Sequence, residues 1–410
     1  MISGEEGLAG EGASDMGEHR RSEYDAAFER AAARASQRLV VILQEQKEVE
    51  TSLAELLREP PSRRTELVRT EERFHRLKLC ELLEARAREL WSEDPSEVAA
   101  LTELAVQVAE RLNPARYGER LVQDVRAVAW AHLGNAYRIA SDLRRAEEAL
   151  RRSLEHHLRA GEDASTEAEI LSFLASLRNS QGRFEEAARL LDRVIEVYRT
   201  GKERHQEGRA MIQKGLALGY GGQHGKAIRL IRSGLSRIDL HREPRLAVAA
   251  WHNLVVYLTE SGRHREALET LEKHHQLYLE HGDQMHLVRF SWLKGMITRD
   301  LGRLEEAEAA LREARDAFIA RDIGFDAALV SLDLAMVYAL RGDHGQVKRL
   351  AAEMVPIFES RDVHQEAIAA LLIFKQAAEA ERVSVDLLGR IAAWLQRSRR
   401  DPDARFEVEN

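Results

Sequence analysis

The sequence of 410 residues has a single cysteine, Cys80, and only seven prolines. One cysteine excludes an internal disulfide and argues against a cysteine-based zinc site. Because proline breaks helix interiors, its scarcity permits long helices over most of the chain. No apolar run approaches the ~20 residues that a membrane-spanning helix needs, and the N-terminus has no apolar centre typical of a signal peptide. These absences predict a helical, cytoplasmic protein with no membrane segment.

A positive charge excess and catalytic motifs are missing as well. The net charge is -8, whereas a sequence-independent grip on nucleic acid needs a basic stripe, so we expect no nucleic-acid partner. There is no Gly-x-Ser-x-Gly elbow. The stretch 219–227 imitates a phosphate loop, but Tyr220 replaces a required glycine and Ala227 replaces the required hydroxyl. We therefore expect no enzyme activity and no cofactor.

What the sequence does contain is a fixed period. Five glycines recur at intervals of forty residues: Gly182, Gly222, Gly262, Gly302 and Gly342. Four of them are followed five places later by alanine, at Ala187, Ala227, Ala267 and Ala307, and the fifth by Val347. A period of this size indicates a protein of stacked structural repeats.

The first repeat begins near Asp124 and contains Trp130, Leu133, Gly134 and Tyr137, followed nine residues later by Ala146. This pattern resembles the tetratricopeptide repeat. We predict that Gly134 lets a second helix approach the first and that Ala146 is small because it lies at their crossing. Aligned on that alanine, the chain has seven repeats spaced by 41 and then by 40 residues, anchored at Ala146, Ala187, Ala227, Ala267, Ala307, Val347 and Leu387.

The predicted fold class is all-α, a right-handed α-solenoid of about seven long repeats of the kind found in bacterial members of the family. We assign residues 1–21 to a disordered tail, 61–120 to an atypical N-terminal helix pair that caps the solenoid, 121–400 to the seven repeats and 401–410 to a tail. A continuous helix is expected from about Ser62 to Trp91. Asp94 and Pro95 then mark the start of the next helix.

Residues 22–60 carry a heptad stripe of mostly apolar side chains. Two interpretations stay open: a coiled coil that forms a homodimer through residues 28–56, or a hairpin that packs on the next helix of the same chain. Pro60 and Pro61 supply the break that the hairpin needs. The stripe consists of Phe28, Ala32, Ala35, Leu39, Ile42, Gln46, Val49, Leu53 and Leu56.

In tetratricopeptide repeats the first helices line a concave face, and this resemblance gives the candidate binding residues. Contact positions lie two, five, nine, twelve and thirteen places into each repeat, and the sixth often contributes. The candidates are Asn135, Arg138, Asn179, Arg209, Gln213, Tyr220, His252, Asn253, Trp292, Arg299 and Asp333. Asn135 matches an asparagine that relatives use to hold a peptide backbone, and the arginines suit carboxylates.

Two further groups have more than one interpretation. Lys214 and Lys294 stand where the first repeat has Leu133, directly before the glycine that corresponds to Gly134. Each lysine therefore either extends to the surface or faces an anionic ligand or an internal acid. The densest histidine group lacks the spacing of a metal site, so we expect no metal and predict exposed positions on a second helix. It comprises His274, His275, His281 and His286.

The resemblance implies a non-enzymatic scaffold or adaptor that binds a protein or peptide ligand in its concave groove. The alternative is a peptide-responsive intracellular regulator similar to bacterial quorum-peptide receptors. Residues 22–92 show no helix-turn-helix, so that regulator would have no DNA-binding domain. The full set of lysines, asparagines and arginine that clamps chaperone tails in this family is not present.

Overall fold

The structure is a computed structural model that describes residues 49–91, 94–161, 163–359, 374–379 and 383–398. All regular secondary structure within these ranges is helical, which confirms the all-α fold. The predicted tails at 1–21 and 401–410, and most of the heptad segment, lie outside the described residues. The chain divides into two compact units, residues 1–238 and residues 239–410, which are taken in turn.

The described part of the first unit runs from α1 to the second helix of the third repeat. Its helices are α1 (49–58), α2 (Pro61–Thr70), a 3-10 turn (Glu72–Phe74), α3 (Leu77–Glu89), α4 (Pro95–Glu110), α5 (Pro114–Tyr117), α6 (Glu119–Ile139), α7 (Leu143–Ala160), α8 (Ala164–Ser180), α9 (Phe184–Thr200), α10 (Arg204–Tyr220) and α11 (His224–Leu235).

The second unit holds the remaining repeats. Its helices are α12 (Pro244–Glu260), α13 (His264–Lys273), α14 (His275–His281), α15 (Gln284–Asp300), α16 (Leu304–Ala320), α17 (Gly324–Arg341), α18 (His344–Glu359), α19 (374–379) and α20 (Val385–Ser398).

Five of the repeats are pairs of antiparallel helices, as the period predicts. In the first unit α6 packs on α7, α8 on α9 and α10 on α11, and in the second α15 packs on α16 and α17 on α18. The predicted crossing is confirmed, because Ala146 is fully buried and a Cβ atom at Gly134 would lie 2.6 Å from Cγ of Leu150. Gly215 and Gly295 approach Ile231 and Leu311 in the same way.

The turn between the two helices of a repeat contains one residue with a left-handed backbone. The glycines of the forty-residue period occupy this place with φ between 71° and 77°, and Ser141 takes it in the first repeat with φ 63°. Glycine adopts this conformation without the Cβ clash that other residues suffer. The five glycines are therefore turn residues.

In the first two repeats the residue four places before the left-handed turn makes a polar bond to the preceding helix pair. In the first repeat Tyr137 donates a hydrogen bond of 2.6 Å to Glu103 of α4. In the second, Arg178 replaces the usual tyrosine and makes two bonds to Glu147 of α7. Arg178 thus makes the same kind of contact as Tyr137, a hydrogen bond to a glutamate of the preceding helix pair.

The end of the heptad stripe packs inside the chain. Val49 and Leu56 are buried in the same core as α3 and α4, and Leu53 packs against that core. This arrangement matches the hairpin interpretation for these three positions. The earlier part of the stripe lies outside the described residues, so the homodimer through 28–56 stays a prediction.

The helix expected from Ser62 to Trp91 is wrong, because the chain breaks between α2 and α3. The 3-10 turn inserts Phe74 into the core with no exposed surface, and His75 Nε2 lies 2.7 Å from the carbonyl oxygen of Val68. Burying a whole aromatic ring outweighs the few helical hydrogen bonds lost at the break. The next start signal is correct, since the Asp94 side chain accepts hydrogen bonds from the amides of Ser96 and Glu97.

We predict that replacing Ser141 with glycine stabilises the protein by roughly 0.5–1 kcal/mol, because it relieves the left-handed strain of a residue with a Cβ atom. Thermal and urea unfolding measure the change. The matched reverse variant is Gly302→Ser, where a Cβ atom would meet no neighbour within 4 Å, so only the backbone effect acts. Changes of the same sign in the two variants would contradict the prediction.

Candidate functional site

The first helices of the first unit, α3, α6, α8 and α10, present a polar surface that is called here the first-helix face. A cleft of about 510 Å³ opens on it between α3, α6 and α8. The cleft is mainly acidic, with five carboxylates against Lys78 and Arg88. The carboxylates are Glu81, Glu84, Asp124, Asp163 and Glu169.

A buried histidine lies at the wall of this cleft. His132 Nε2 is 3.3 Å from Oε1 of Glu169, and only 5% of the residue is exposed. Burial opposes the charged form of His132, but Glu169 and Glu84 outweigh it and raise its pKa. Burial likewise opposes ionisation of Glu169, but His132, Arg88 and Arg209 outweigh it and lower the pKa of that carboxyl. The pair ties α6 to α8 and favours an ionised state on both sides.

Asn135 and Arg138 continue the face of α6 beyond the cleft, one and two turns after His132. The two predicted residues contact each other, since Arg138 Nε donates to Oδ1 of Asn135 at 2.9 Å. No carboxylate among the described residues pairs with Arg138. Burial, with no compensating acid, lowers the pKa of the Arg138 guanidinium.

Asn179 and Gln213 lie on α8 and α10 of the same unit. Gln213 Nε2 donates to Oγ of Ser176 at 2.8 Å and to the carbonyl oxygen of Ser172 at 3.2 Å, so its amide bridges two repeats. Asn179 Oδ1 is buried and has no hydrogen-bond partner among the described residues. An unmet buried acceptor costs free energy, which marks this amide as a group that a ligand could satisfy.

Arg209 and Tyr220, the other two candidates on α10, are more exposed than their neighbours. Arg209 is exposed near the Glu169 carboxylate, whose pKa it helps to lower. The Tyr220 ring is 42% exposed and packs against Phe184 at the start of α9, with ring centroids 6.0 Å apart.

In the second unit three candidates form one buried cluster. Trp292 Nε1 donates to Asp333 Oδ2 at 2.7 Å, and Arg299 Nη1 donates to Asp333 Oδ1 at 2.5 Å. The side chains of Arg299 and Asp333 are only 11% and 9% exposed. Burial raises the pKa of Asp333, and Arg299 and Trp292 act against that rise. These residues satisfy each other and tie α15 to α17.

His252 and Asn253 on α12 are both half-buried. Asn253 Nδ2 donates to the carbonyl oxygen of Ala249 at 2.8 Å, within its own helix. His252 Nδ1 is buried and has no hydrogen-bond partner among the described residues. Burial, assisted by the charges of Arg289 and His286, lowers the pKa of His252 to about 4.

The two lysines have different surroundings. Lys214 Nζ pairs with Asp192 of α9, whose side chain is 63% exposed, so its stem is covered while its charge reaches the surface. Lys294 is half-buried and has no acidic partner among the described residues.

The prediction for the histidine group is wrong in part. His274 is half-buried and stacks on Trp251 with ring centroids 3.6 Å apart, and His286 lies on a first helix, where it caps α15 with Asp283. The second helix breaks at His274, so His274 and His281 do not share a continuous helical face. In the described part of the chain no group of three or more His, Cys, Asp or Glu side chains is placed to hold a metal ion.

Sequence reasoning missed the cleft and its most buried polar residue, His132. The signal was present, because His132 stands at the sixth position of its repeat, which the resemblance gives as a frequent contributor. The acids that surround it come from α3 and α8, and only packing brings those helices beside α6.

The tetratricopeptide repeat family profiles match residues 124–200, 166–237 and 328–353. These ranges contain the first repeats of the first unit and the sixth repeat, with the turns and crossings described above. The chain contains tetratricopeptide repeats. A comparison with curated proteins found no significant match.

Solved structures resemble this chain over most of its length. Aspartyl phosphate phosphatase F from Bacillus subtilis is 15% identical, with a TM-score of 0.53 over 88% of this chain and 97% of that one. The apo form of RapI is 12% identical, with a TM-score of 0.52 over 87% of this chain and 99% of that one. These likenesses show a shared fold. None of the described helices combines the length and apolar character needed to cross a membrane.

We predict that acidification destabilises the repeat protein through His252. Its pKa is near 6.5 when unfolded and about 4 when folded, so its contribution is present above pH 6.5 and is lost as the pH falls toward 4. The loss is at most about 3 kcal/mol. Urea unfolding between pH 7 and pH 4 should show a shallower decline for His252→Phe than for the unchanged protein.

His281→Gln is the matched control, because His281 is exposed on the same unit. An equal decline in the unchanged protein and in His252→Phe would contradict the assignment.

Proposed function

We propose that the protein is a non-enzymatic scaffold that binds a peptide, or an extended segment of a partner protein, along the first-helix face of residues 1–238. The observation that carries this proposal is that the face combines an open cleft with side chains whose hydrogen-bonding capacity is unused. Arg138 and Asn179 are those side chains. A stable monomeric surface rarely leaves such groups unmet unless a ligand or water completes them.

An extended peptide is the ligand that fits these groups. Its backbone offers an N–H and a C=O at every residue, and an asparagine side chain can donate and accept at the same time. The Asn179 side chain is half-buried, so rotation about its own bonds is enough to present the amide to a ligand. Asn135 already holds Arg138 and so positions a cation beside the same path.

The candidates in the second unit have a different proposed role. Trp292, Arg299 and Asp333 use their polar groups on one another, and Asn253 bonds its own helix. We propose that they stabilise the helix stack and that the first unit supplies most of the ligand contacts.

We predict that Asn179→Ala weakens peptide binding roughly tenfold, since it removes one or two hydrogen bonds to the peptide backbone. The protein is mixed with a pool of random pentapeptides, bound peptides are separated by gel filtration and identified by mass spectrometry, and the affinities of the retained peptides are measured. Gln276→Ala is the control, because Gln276 is exposed on α14 and bonds only to Glu280. Failure of the unchanged protein to retain any peptide would overturn the proposal.

The second candidate function is a peptide-responsive intracellular regulator. It is favoured by the likeness in fold to aspartyl phosphate phosphatase F, which extends over 88% of this chain. A regulator of this kind should change conformation when it binds.

We predict for the regulator that a retained pentapeptide reduces the radius of gyration in small-angle X-ray scattering, and for the scaffold that the radius stays constant. The phosphatase name of the similar structure also calls for a direct check of catalysis. Release of phosphate from acetyl phosphate, lost on changing a single residue, would contradict a non-enzymatic role for this chain.

A further inference from the structure

The repeats allow two arginines to be compared at equivalent positions. The amide of the left-handed residue Ser141 donates to the carbonyl oxygen of Arg138 at 3.0 Å, and that of Gly302 donates to the carbonyl oxygen of Arg299 at 2.9 Å. Each arginine therefore lies three residues before the left-handed turn of its own repeat. The backbone gives both the same place on a first helix.

The two guanidinium groups differ in whether a carboxylate balances their charge. Arg299 bonds to Asp333 and to Asp300, and although burial acts against it, these carboxylates raise the pKa of the guanidinium. Arg138 has one hydrogen-bond partner among the described residues, the neutral Asn135 Oδ1, and burial lowers the pKa of its guanidinium. The charge of Arg299 is therefore neutralised inside the fold. Arg138 is partly desolvated and has no counter-ion among the described residues.

Two positions differ between the repeats. Asp300 directly follows Arg299, whereas Ile139 follows Arg138. Asp333 lies nine residues before the left-handed Gly342, and the equivalent residue of the second repeat, nine before Gly182, is Phe173. Phe173 lies against α6, since its ring packs edge-on to His132 with centroids 5.4 Å apart. An apolar side chain thus occupies the repeat position that supplies the carboxylate partner of Arg299 in the second unit.

The hydrogen-bond donor is replaced too. Trp292, which also bonds Asp333, lies ten residues before Gly302, and the equivalent residue in the first repeat is Ala131. The first and second repeats therefore lack both the aspartate and the tryptophan that bond to each other beside Arg299.

We propose that Arg138 is a carboxylate-binding subsite that takes the C-terminal carboxylate or an acidic side chain of a peptide bound on the first-helix face. The inference rests on the proposed function and names the chemistry of its ligand. A guanidinium can hold a carboxylate by two parallel N–H···O bonds, and partial desolvation strengthens them. Asn179 lies three residues before Gly182, at the equivalent position of the next repeat, so rotation of its side chain would let Oδ1 accept a backbone N–H of that ligand.

The position of the acidic cleft restricts where a carboxylate can go. Asp124 and Glu169 lie toward the start of α6 and α8, Glu81 and Glu84 lie on α3, and these carboxylates repel an anion. His132 and Arg138 are six residues apart, about 9 Å along the helix axis. A peptide on this face therefore meets repulsion for its anionic groups at the cleft and attraction at Arg138.

The first test uses pentapeptides retained from the random pool, each resynthesised with a free or an amidated C-terminus and with Asp and Glu changed to Asn and Gln. The unchanged protein should bind at least one carboxylate form about 10- to 100-fold more tightly than its neutral counterpart. Arg138→Met should abolish that ratio while its affinity for the neutral form stays the same. The amidated arm and the Asn/Gln arm distinguish a C-terminal from a side-chain carboxylate.

The second test supplies the missing counter-ion inside the protein. Phe173→Asp places a carboxylate at the position of Asp333 and should reduce the preference for carboxylate peptides as strongly as Arg138→Met does. Phe173→Asn removes the same ring without adding charge and should keep the preference. Circular dichroism and thermal unfolding show whether both variants retain the fold.

The outcomes separate this inference from the proposed function. If no peptide is retained by the unchanged protein, the proposed function fails and the subsite fails with it. If peptides bind but Arg138→Met keeps the full preference for the carboxylate form, or if Phe173→Asn loses it as Phe173→Asp does, only the subsite is overturned.

Discussion

The close crossing of two helices inside each repeat is the constraint on which the rest of the structure depends. At that crossing Ala146, Ala187 and Ala227 are fully buried, and Gly134 has no room for a Cβ atom beside Leu150. Close packing of this kind lets the pair bury its apolar stripe, because dispersion contacts and apolar burial both increase as the helices approach. Once the crossing is set, the opposite face of each first helix is left for polar side chains.

Those polar side chains fall into two groups that cannot be distinguished by residue type. Some are satisfied within the fold, as Gln213 is by Ser172 and Ser176, and as Arg299 is by Asp333. Others keep unused capacity, as Asn179 does. A satisfied polar group stabilises the stack, whereas an unsatisfied one has a free-energy cost that a ligand can remove. The first unit combines such unused capacity with an open cleft beside α6 and α8.

Local chemistry made several features predictable. The left-handed turns follow from glycine, which tolerates positive φ, and the start of α4 follows from Asp94 and Pro95. The small residues at the crossings recur with the period and identify helix pairs directly. The break before α3 was not predictable in this way, because it depends on burying Phe74 in a core built from distant residues. A helical spacing pattern extends across residues 71–76 even though the helix does not.

By itself the sequence determined the repeat, its forty-residue period, the all-α class and the helix face on which polar residues would gather. These properties depend on residues a few positions apart, whose relation any helix preserves. Only the tertiary structure decided what each of those polar residues is bonded to. Arg138 and Arg299 have the same side chain at the same repeat position, yet Phe173 faces one repeat and Asp333 the other. The partner of a side chain on one helix is supplied by the next repeat, about thirty-five residues away. The more buried the side chain is, the larger the free-energy difference between having that partner and lacking it.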